Sequence, residues 1–177
     1  MKRCLRLLCL LVGFWLVPAF AQVPQDIQQA QSCAYCGMNR GMFDYSRVLI
    51  EYDDGTTVPA CSLHCTAIDL ANKIDKTPKA ILVGDFQTKR LIDAEAAVWV
   101  LEGAKAGVMS KRGKWAFEKQ ADAEAFLATN GGRLASFEQA VKMAYDDMYE
   151  DTQMIRARRK AKMMKPMTPM TPAPPAP

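Results

Sequence analysis

The chain has 177 residues, with 23 Lys or Arg against 19 Asp or Glu for a net charge of +4. That length suits one ordinary domain or two very small ones. Three cations precede residue 22 and six follow residue 155, so the stretch between keeps fourteen cations against nineteen acids, a net of −5. A nucleic-acid binder would carry its basic surface on the fold itself, so this balance argues against nucleic acid as a partner.

The first 21 residues read as a signal peptide. Lys2, Arg3 and Arg6 form a positive start, Leu7 to Val17 is an apolar run short of a comfortable bilayer span, and Ala19-Phe20-Ala21 is a small-residue cleavage site. Cys4 and Cys9 leave with it, and neither sits where a lipid-modified cysteine would be expected. The expectation is an exported, periplasmic protein that is soluble after cleavage, without stable membrane insertion.

Four cysteines then remain, Cys33, Cys36, Cys61 and Cys65. In an oxidising compartment an even number usually means disulfides. Against that stands their arrangement. Cys33-Ala34-Tyr35-Cys36 has C-x2-C spacing with Met38 two residues on, and Cys61-Ser62-Leu63-His64-Cys65 adds a C-x3-C pair and the chain's one histidine. Thiolate plus thioether selects Cu(I), whereas four thiolates alone suit zinc. Cu(I) is therefore the expected ion, with zinc the alternative.

Residues 22 to 32 are a polar leader without periodicity. Ser46 to Tyr52 alternates as a strand with Val48, Ile50 and Tyr52 on one face. Asp53-Asp54-Gly55 signals a tight hairpin turn, and Thr56 to Ala60 returns to deliver Cys61. Ser62 can cap a helix to about Lys73, with Leu63, Ala67, Leu70 and Ile74 on its inner stripe. Pro78 closes that passage before a short strand, Ala80 to Val83. The order then recurs: strand Ala97 to Leu101, a glycine-rich connection, strand Lys114 to Phe117, helix Ala121 to Thr129 stopped by Asn130-Gly131-Gly132, and strand Arg133 to Ala135. Ser136 and Gln139 form a capping box for a last helix, with Phe137, Val141, Ala144 and Met148 inward. That helix is expected to fray in the basic run. An α+β fold of two β-β-α-β units follows, spanning residues 22–160, with a disordered tail over 161–177 whose Met163, Met164, Met167 and Met170 could collect Cu(I).

At the entrance of a helix, Cys61, His64 and Cys65 would project from one face, i, i+3 and i+4. Cys36 and Met38 would point the same way from extended backbone. Met109, a loop residue among glycines, is a better ligand candidate than the helical Met143 or Met148.

Several motifs resemble, in order, the NosL-type accessory proteins of nitrous-oxide reductase. They are Cys36-Gly37-Met38, Glu51-Tyr52-Asp53-Asp54-Gly55, Val83-Gly84-Asp85-Phe86, Gly107-Val108-Met109-Ser110, Trp115-Ala116-Phe117 and Asn130-Gly131-Gly132, together covering residues 33 to 142. The resemblance implies a periplasmic Cu(I) metallochaperone and not an enzyme, with a fold like a domain of organomercurial lyase. It implies Cys36, Met38 and Met109 as copper ligands, and nitrous-oxide reductase as the client cuproprotein. Two features depart from that pattern. Many members are lipoproteins, and Cys61-Ser62-Leu63-His64-Cys65 resembles the end of small TRASH-type metal-binding domains. The competing classes are a thiol–disulfide oxidoreductase using Cys33 and Cys36, a zinc-stapled interaction module and, remotely, an organomercurial-lyase-like enzyme. No thioredoxin-like pattern surrounds the C-x2-C pair.

Overall fold

The computed structural model describes residues 23–164. The expected signal peptide and residues 165–177 lie outside that range. Eleven elements follow one another: α1 (Gln25–Gln29), β1 (Val48–Tyr52), β2 (Thr57–Ala60), α2 (Leu63–Asn72), β3 (Pro78–Gly84), β4 (Leu91–Asp93), β5 (Val98–Leu101), β6 (Lys114–Phe117), α3 (Gln120–Asn130), β7 (Arg133–Ala135) and α4 (Phe137–Met164). They form two antiparallel sheets, ordered β2-β1-β3-β4 and β6-β5-β7. Each sheet holds one β-β-α-β unit, so the expected α+β plan is present.

In the first unit β1 pairs with both β2 and β3, placing Val48 opposite Ala60 and Val83. Val48, Ile50 and Tyr52 are buried while Leu49 and Glu51 are not, the alternation of a strand with one covered face. The β1–β2 connection is a four-residue loop in place of the tight primed turn. Gly55 alone has positive φ (82°), and its N–H donates to Tyr52 O at 3.0 Å. Asp54 closes the loop by accepting from the Thr56 backbone at 2.9 Å. Pro78, expected to precede the third strand, begins it, a position where a missing donor costs no ladder bond.

The two sheets meet where the end of β3 runs beside β6. Asp85 bridges to Ala116 in parallel, Phe86 N–H donates to Ala116 O at 2.8 Å, and Glu118 N–H donates to the Asp85 carboxylate at 2.9 Å. Around this seam Tyr45, Phe86, Trp115, Phe117 and Phe126 pack in edge-on and tilted pairs with centroids 4.9–6.4 Å apart. The larger core joins β1 and β3 to α2, Trp99, Leu101 and the inner face of α4.

The capping box forms as its sequence demands: Ser136 N–H donates to Gln139 Oε1 at 3.1 Å, and Gln139 N–H to Ser136 Oγ at 3.3 Å. Phe137 and Ala144 are buried, with Val141 and Met148 partly so. The helix does not fray at the basic run. It continues through Ala161 to Met164, inside the segment expected to be a disordered tail, because Lys and Arg are good helix formers and suit a helix C-terminus. Ile74, expected inside, is exposed because α2 ends two residues earlier.

Helix α1 falls in the stretch read as an unstructured leader. It is held by charge and not by periodicity. Asp26 receives Arg40 Nη2 at 2.9 Å and Arg47 Nε at 2.7 Å, and both guanidiniums are almost wholly buried. Arg40 also donates to the carbonyls of Asp26, Ala30 and Ala60 at 2.8–3.3 Å. Burial alone would raise the Asp26 pKa, but Arg47 and then Arg40 outweigh it and hold the carboxyl below its usual range. Replacing Asp26 by Asn should cost about 3 kcal/mol, because two buried cations lose their counter-ion. As Asp26 has a depressed folded-state pKa, that stabilisation is present at neutral pH and fades once pH falls below the ordinary carboxylate value. Urea melts of both proteins at neutral and acid pH should show the gap narrowing in acid.

Candidate metal centre

The four cysteines come together. The sulfurs of Cys33, Cys36, Cys61 and Cys65 all lie within 4.8 Å of one another. Cys36 Sγ is 3.4 Å from Cys61 Sγ, which is 3.7 Å from Cys65 Sγ. These distances exceed the ~2.05 Å of a disulfide, and all four are free thiols. Cys33, Cys61 and Cys65 are 0–3% exposed, while Cys36 is half-buried.

Two pieces of chain build the cluster. Residues 33–38 form a turn in which Cys33 N–H donates to Met38 O (2.9 Å) and Gly37 N–H to Cys33 O (3.0 Å). Gly37 makes the reversal with φ of 75°, a conformation that costs glycine little. The backbone N–H groups of Cys36 and Met38 act to lower the Cys33 and Cys36 pKa respectively, since a donor near sulfur favours its thiolate. The turn docks on the second piece, the β2–α2 junction. Ala34 N–H donates to Pro59 O at 2.9 Å, and Tyr35 Oη to the buried Asp69 carboxylate of α2 at 2.5 Å. Cys61 ends the strand passage and Cys65 enters in the first turn of α2.

In the ion-free cluster the protons are unevenly shared. Hydrogen bonds from Cys36, then Cys61 and Cys65, pull the Cys33 thiol well below its ordinary value. For Cys36 the Cys33 sulfur pushes upward, but donors from Cys61 and Cys65 prevail and bring it down to about 7. Cys61 and Cys65 are pushed up, first by Cys33 and Cys36. The two cysteines of the turn are thus shifted down and the two of the β2–α2 junction up.

His64 does not join the four sulfurs. Cys61 lies before the cap residue Ser62, whose backbone is extended (φ −169°, ψ 171°), so the expected i, i+3, i+4 face does not begin at Cys61. On the helix, His64 and Cys65 point about 100° apart. The imidazole turns to α4 instead, with Nδ1 3.3 Å from the Asp151 carboxylate and both groups buried. Burial lowers the His64 pKa against the opposing pull of Asp151.

Met38 and Met109 lie on the open side of the cluster. Together with Cys36 they line a cleft of about 490 Å³, roofed by Ile155, Arg158 and Arg159 of α4. Met109 has φ of 61°, a left-handed conformation that a methionine adopts only under constraint. That constraint comes from α4. Lys111 N–H donates to Asp151 at 3.2 Å, while Arg112 Nε (2.7 Å) and Lys114 Nζ (2.7 Å) converge on Asp147, clamping the loop just after Met109. Asp147, Asp151 and the α4 roof were not singled out from sequence, since nothing local distinguishes them from other helical residues. Met163 and Met164 stand on the exposed end of α4, 87% and 72% accessible.

Fold and site together define a class: a two-sheet α+β protein with a four-thiol cluster able to hold a soft metal ion, beside a thioether-lined cleft. The chain belongs to the NosL family, which it matches over residues 24–145. Among solved structures it resembles the crystal structure of the copper chaperone NosL from Shewanella denitrificans, with 22% identity and a TM-score of 0.52 over 69% of this chain and 96% of that one. Among curated proteins none matches. No described helix is long and apolar enough to cross a membrane.

The clamp predicts a positioning effect. Asp147→Ala should free the 107–113 loop and weaken Cu(I) binding on the order of tenfold without touching a candidate ligand, as losses of supporting contacts do at metal sites. Chelator competition should show the loss, and alkylation of ion-free protein should still modify half-exposed Cys36 before Cys33, Cys61 or Cys65.

Proposed function

We propose that this NosL-family chain is a periplasmic Cu(I) metallochaperone that delivers copper to a cuproprotein, in nitrous-oxide reductase maturation. The reading rests on one observation above all: Cys36 and Met38 line a single open cleft with Met109, which is far from them in sequence. One thiolate and two thioethers make a soft donor set that favours Cu(I) over harder ions. Export follows from the leader of basic, apolar and small residues, Lys2 to Ala21.

Openness suits delivery. A carrier must let an acceptor's sulfur enter before its own sulfurs leave, so a low-coordinate ion on the rim of a cleft exchanges faster than a caged one. Met38 and Met109 are neutral and weakly bound, and Cys36 is the most accessible of the four thiols, so an incoming thiolate can replace them stepwise. No electron moves and no bond of the cargo other than metal–sulfur changes. Redox catalysis by Cys33 and Cys36 has less support, because these cysteines sit on a turn after α1 and not at the start of a helix following a parallel strand.

Cu(I) titration against a chromophoric chelator provides the test. Cys36→Ser should abolish tight binding, while Met38→Leu and Met109→Leu should each weaken it on the order of tenfold, ~1.4 kcal/mol. Unchanged affinity in all three variants would exclude the cleft as the cargo site.

A further inference from the structure

A cleft that holds a cation gains from nearby carboxylates, yet none of the residues lining this one is acidic and two are arginines, Arg158 and Arg159. Lys105 adds a third positive charge. It precedes the 106–109 wall of the cleft and sits over the Tyr45 ring, another part of the lining, with Nζ 6.0 Å from the ring centroid. Among the described residues none of these three cations has a carboxylate within ion-pair distance. Arg159 donates to the Cys36 carbonyl instead, at 3.5 Å. Lys89, over the same ring at 5.2 Å, differs from them, since Asp44 and Asp85 are close enough to act on it.

The body, residues 22–155, carries a net of −5 and would repel an acidic molecule, whereas the mouth of the cleft attracts one. Arg158 and Arg159 lie beyond the stretch matched to the family, residues 24–145, so their charge is read from this chain alone. Guanidiniums pair with carboxylates through two parallel hydrogen bonds, which gives orientation as well as attraction. The exposed large apolar side chains of α4 are Tyr145, Tyr149, Met163 and Met164. Arg, Tyr and Met are residue types enriched at protein interfaces. A lipid surface fits less well. At about 100° per residue Arg156 and Arg158 point roughly 160° apart, so charge surrounds the helix and leaves no broad apolar face to enter a bilayer.

We propose that Arg158, Arg159 and Lys105 form the docking surface for the copper acceptor, a protein that presents carboxylates around its metal-binding sulfurs. Those carboxylates seat on the unpaired cations and bring the acceptor's thiolate to the cleft. Its copper–sulfur bond forms there as that of Cys36 breaks, and no electron moves. That the surface takes an acidic protein follows from charge and needs no copper. That this protein is the copper acceptor rests on the delivery reading.

Two synthetic peptides serve as probes, each with the same cysteine pair, flanked in one by glutamates and in the other by glutamines. From the full chain loaded with one equivalent of Cu(I), transfer to the glutamate peptide should be about tenfold faster at low ionic strength. The ratio of the two rates should fall toward one at about 1 M salt, where screening is strong. Arg158→Gln/Arg159→Gln should remove most of that ratio and Lys105→Gln part of it, a readout in which any change in Cu(I) affinity cancels. Lys79→Gln/Lys142→Gln, an equal loss of charge outside the cleft lining, should leave the ratio intact. Labelled peptides with serine in place of cysteine, added to the copper-free chain, should show the same preference by fluorescence anisotropy. Equal rates and equal binding of the two peptides would overturn the proposal and leave delivery standing. Preferred binding of the glutamate peptide with copper passed to neither would sink the delivery reading and keep the surface. With vesicles of phosphatidylglycerol and phosphatidylethanolamine at physiological salt the chain should stay in solution. Cosedimentation that Arg158→Gln/Arg159→Gln abolishes would assign the charges to lipid, and the proposal would fall.

Discussion

Docking of the Cys33–Met38 turn on the end of β2 and the start of α2 is the constraint on which the site depends. Neither cysteine pair has a geometry of its own that could cage an ion. The pairs become one cluster because three independent bonds fix the turn over the junction: Ala34 to Pro59, Tyr35 to Asp69, and the Arg40 guanidinium to Ala60. The last two end on the buried Asp69 and Ala60, so the turn cannot drift without leaving a buried charge or carbonyl unsatisfied. Preorganisation of this kind lets sulfurs approach within 4 Å before an ion neutralises them.

Buried charge does similar work at two other points. Asp26, with Arg40 and Arg47, pulls a five-residue helix onto the first sheet, which so short a segment could not achieve by propensity. Asp147 and Asp151 of α4 grip the loop that carries Met109 and hold that residue in a left-handed conformation. Such networks contribute less to net stability than apolar packing of the same volume would, but they fix position, and position is what a ligand loop requires. His64 belongs to this second network, an imidazole beside a carboxylate at the α2–α4 contact.

Exposure is unevenly divided across the four thiols and the adjoining cleft. Cys36 stands at the boundary, half-exposed among three buried partners, and the end of α4 with Arg158 and Arg159 lies over it. The cleft therefore opens beside the cationic end of that helix.

Sequence by itself determined what is periodic or local. The alternation of Val48, Ile50 and Tyr52 set β1 and its buried face, Ser136 and Gln139 set the start of α4, and the order of strands and helices set two β-β-α-β units. Spacing also marked the four thiols and Met38 as ligand types, and a glycine-rich loop with its family resemblance marked Met109. Tertiary structure alone decided which of them meet. Met109 reaches the cleft of Cys36 and Met38 only because α4 clamps its loop, while His64 leaves the cluster because an extended Ser62 breaks the helical face and Asp151 offers a partner. α1 and the long reach of α4 were likewise invisible, since one is held by a salt bridge to residues 14 and 21 positions away and the other by what it covers. Hydrophobic period and capping act within a few residues and can be read along the chain; ion pairs and sulfur contacts join distant residues, and their geometry exists only once the chain has folded.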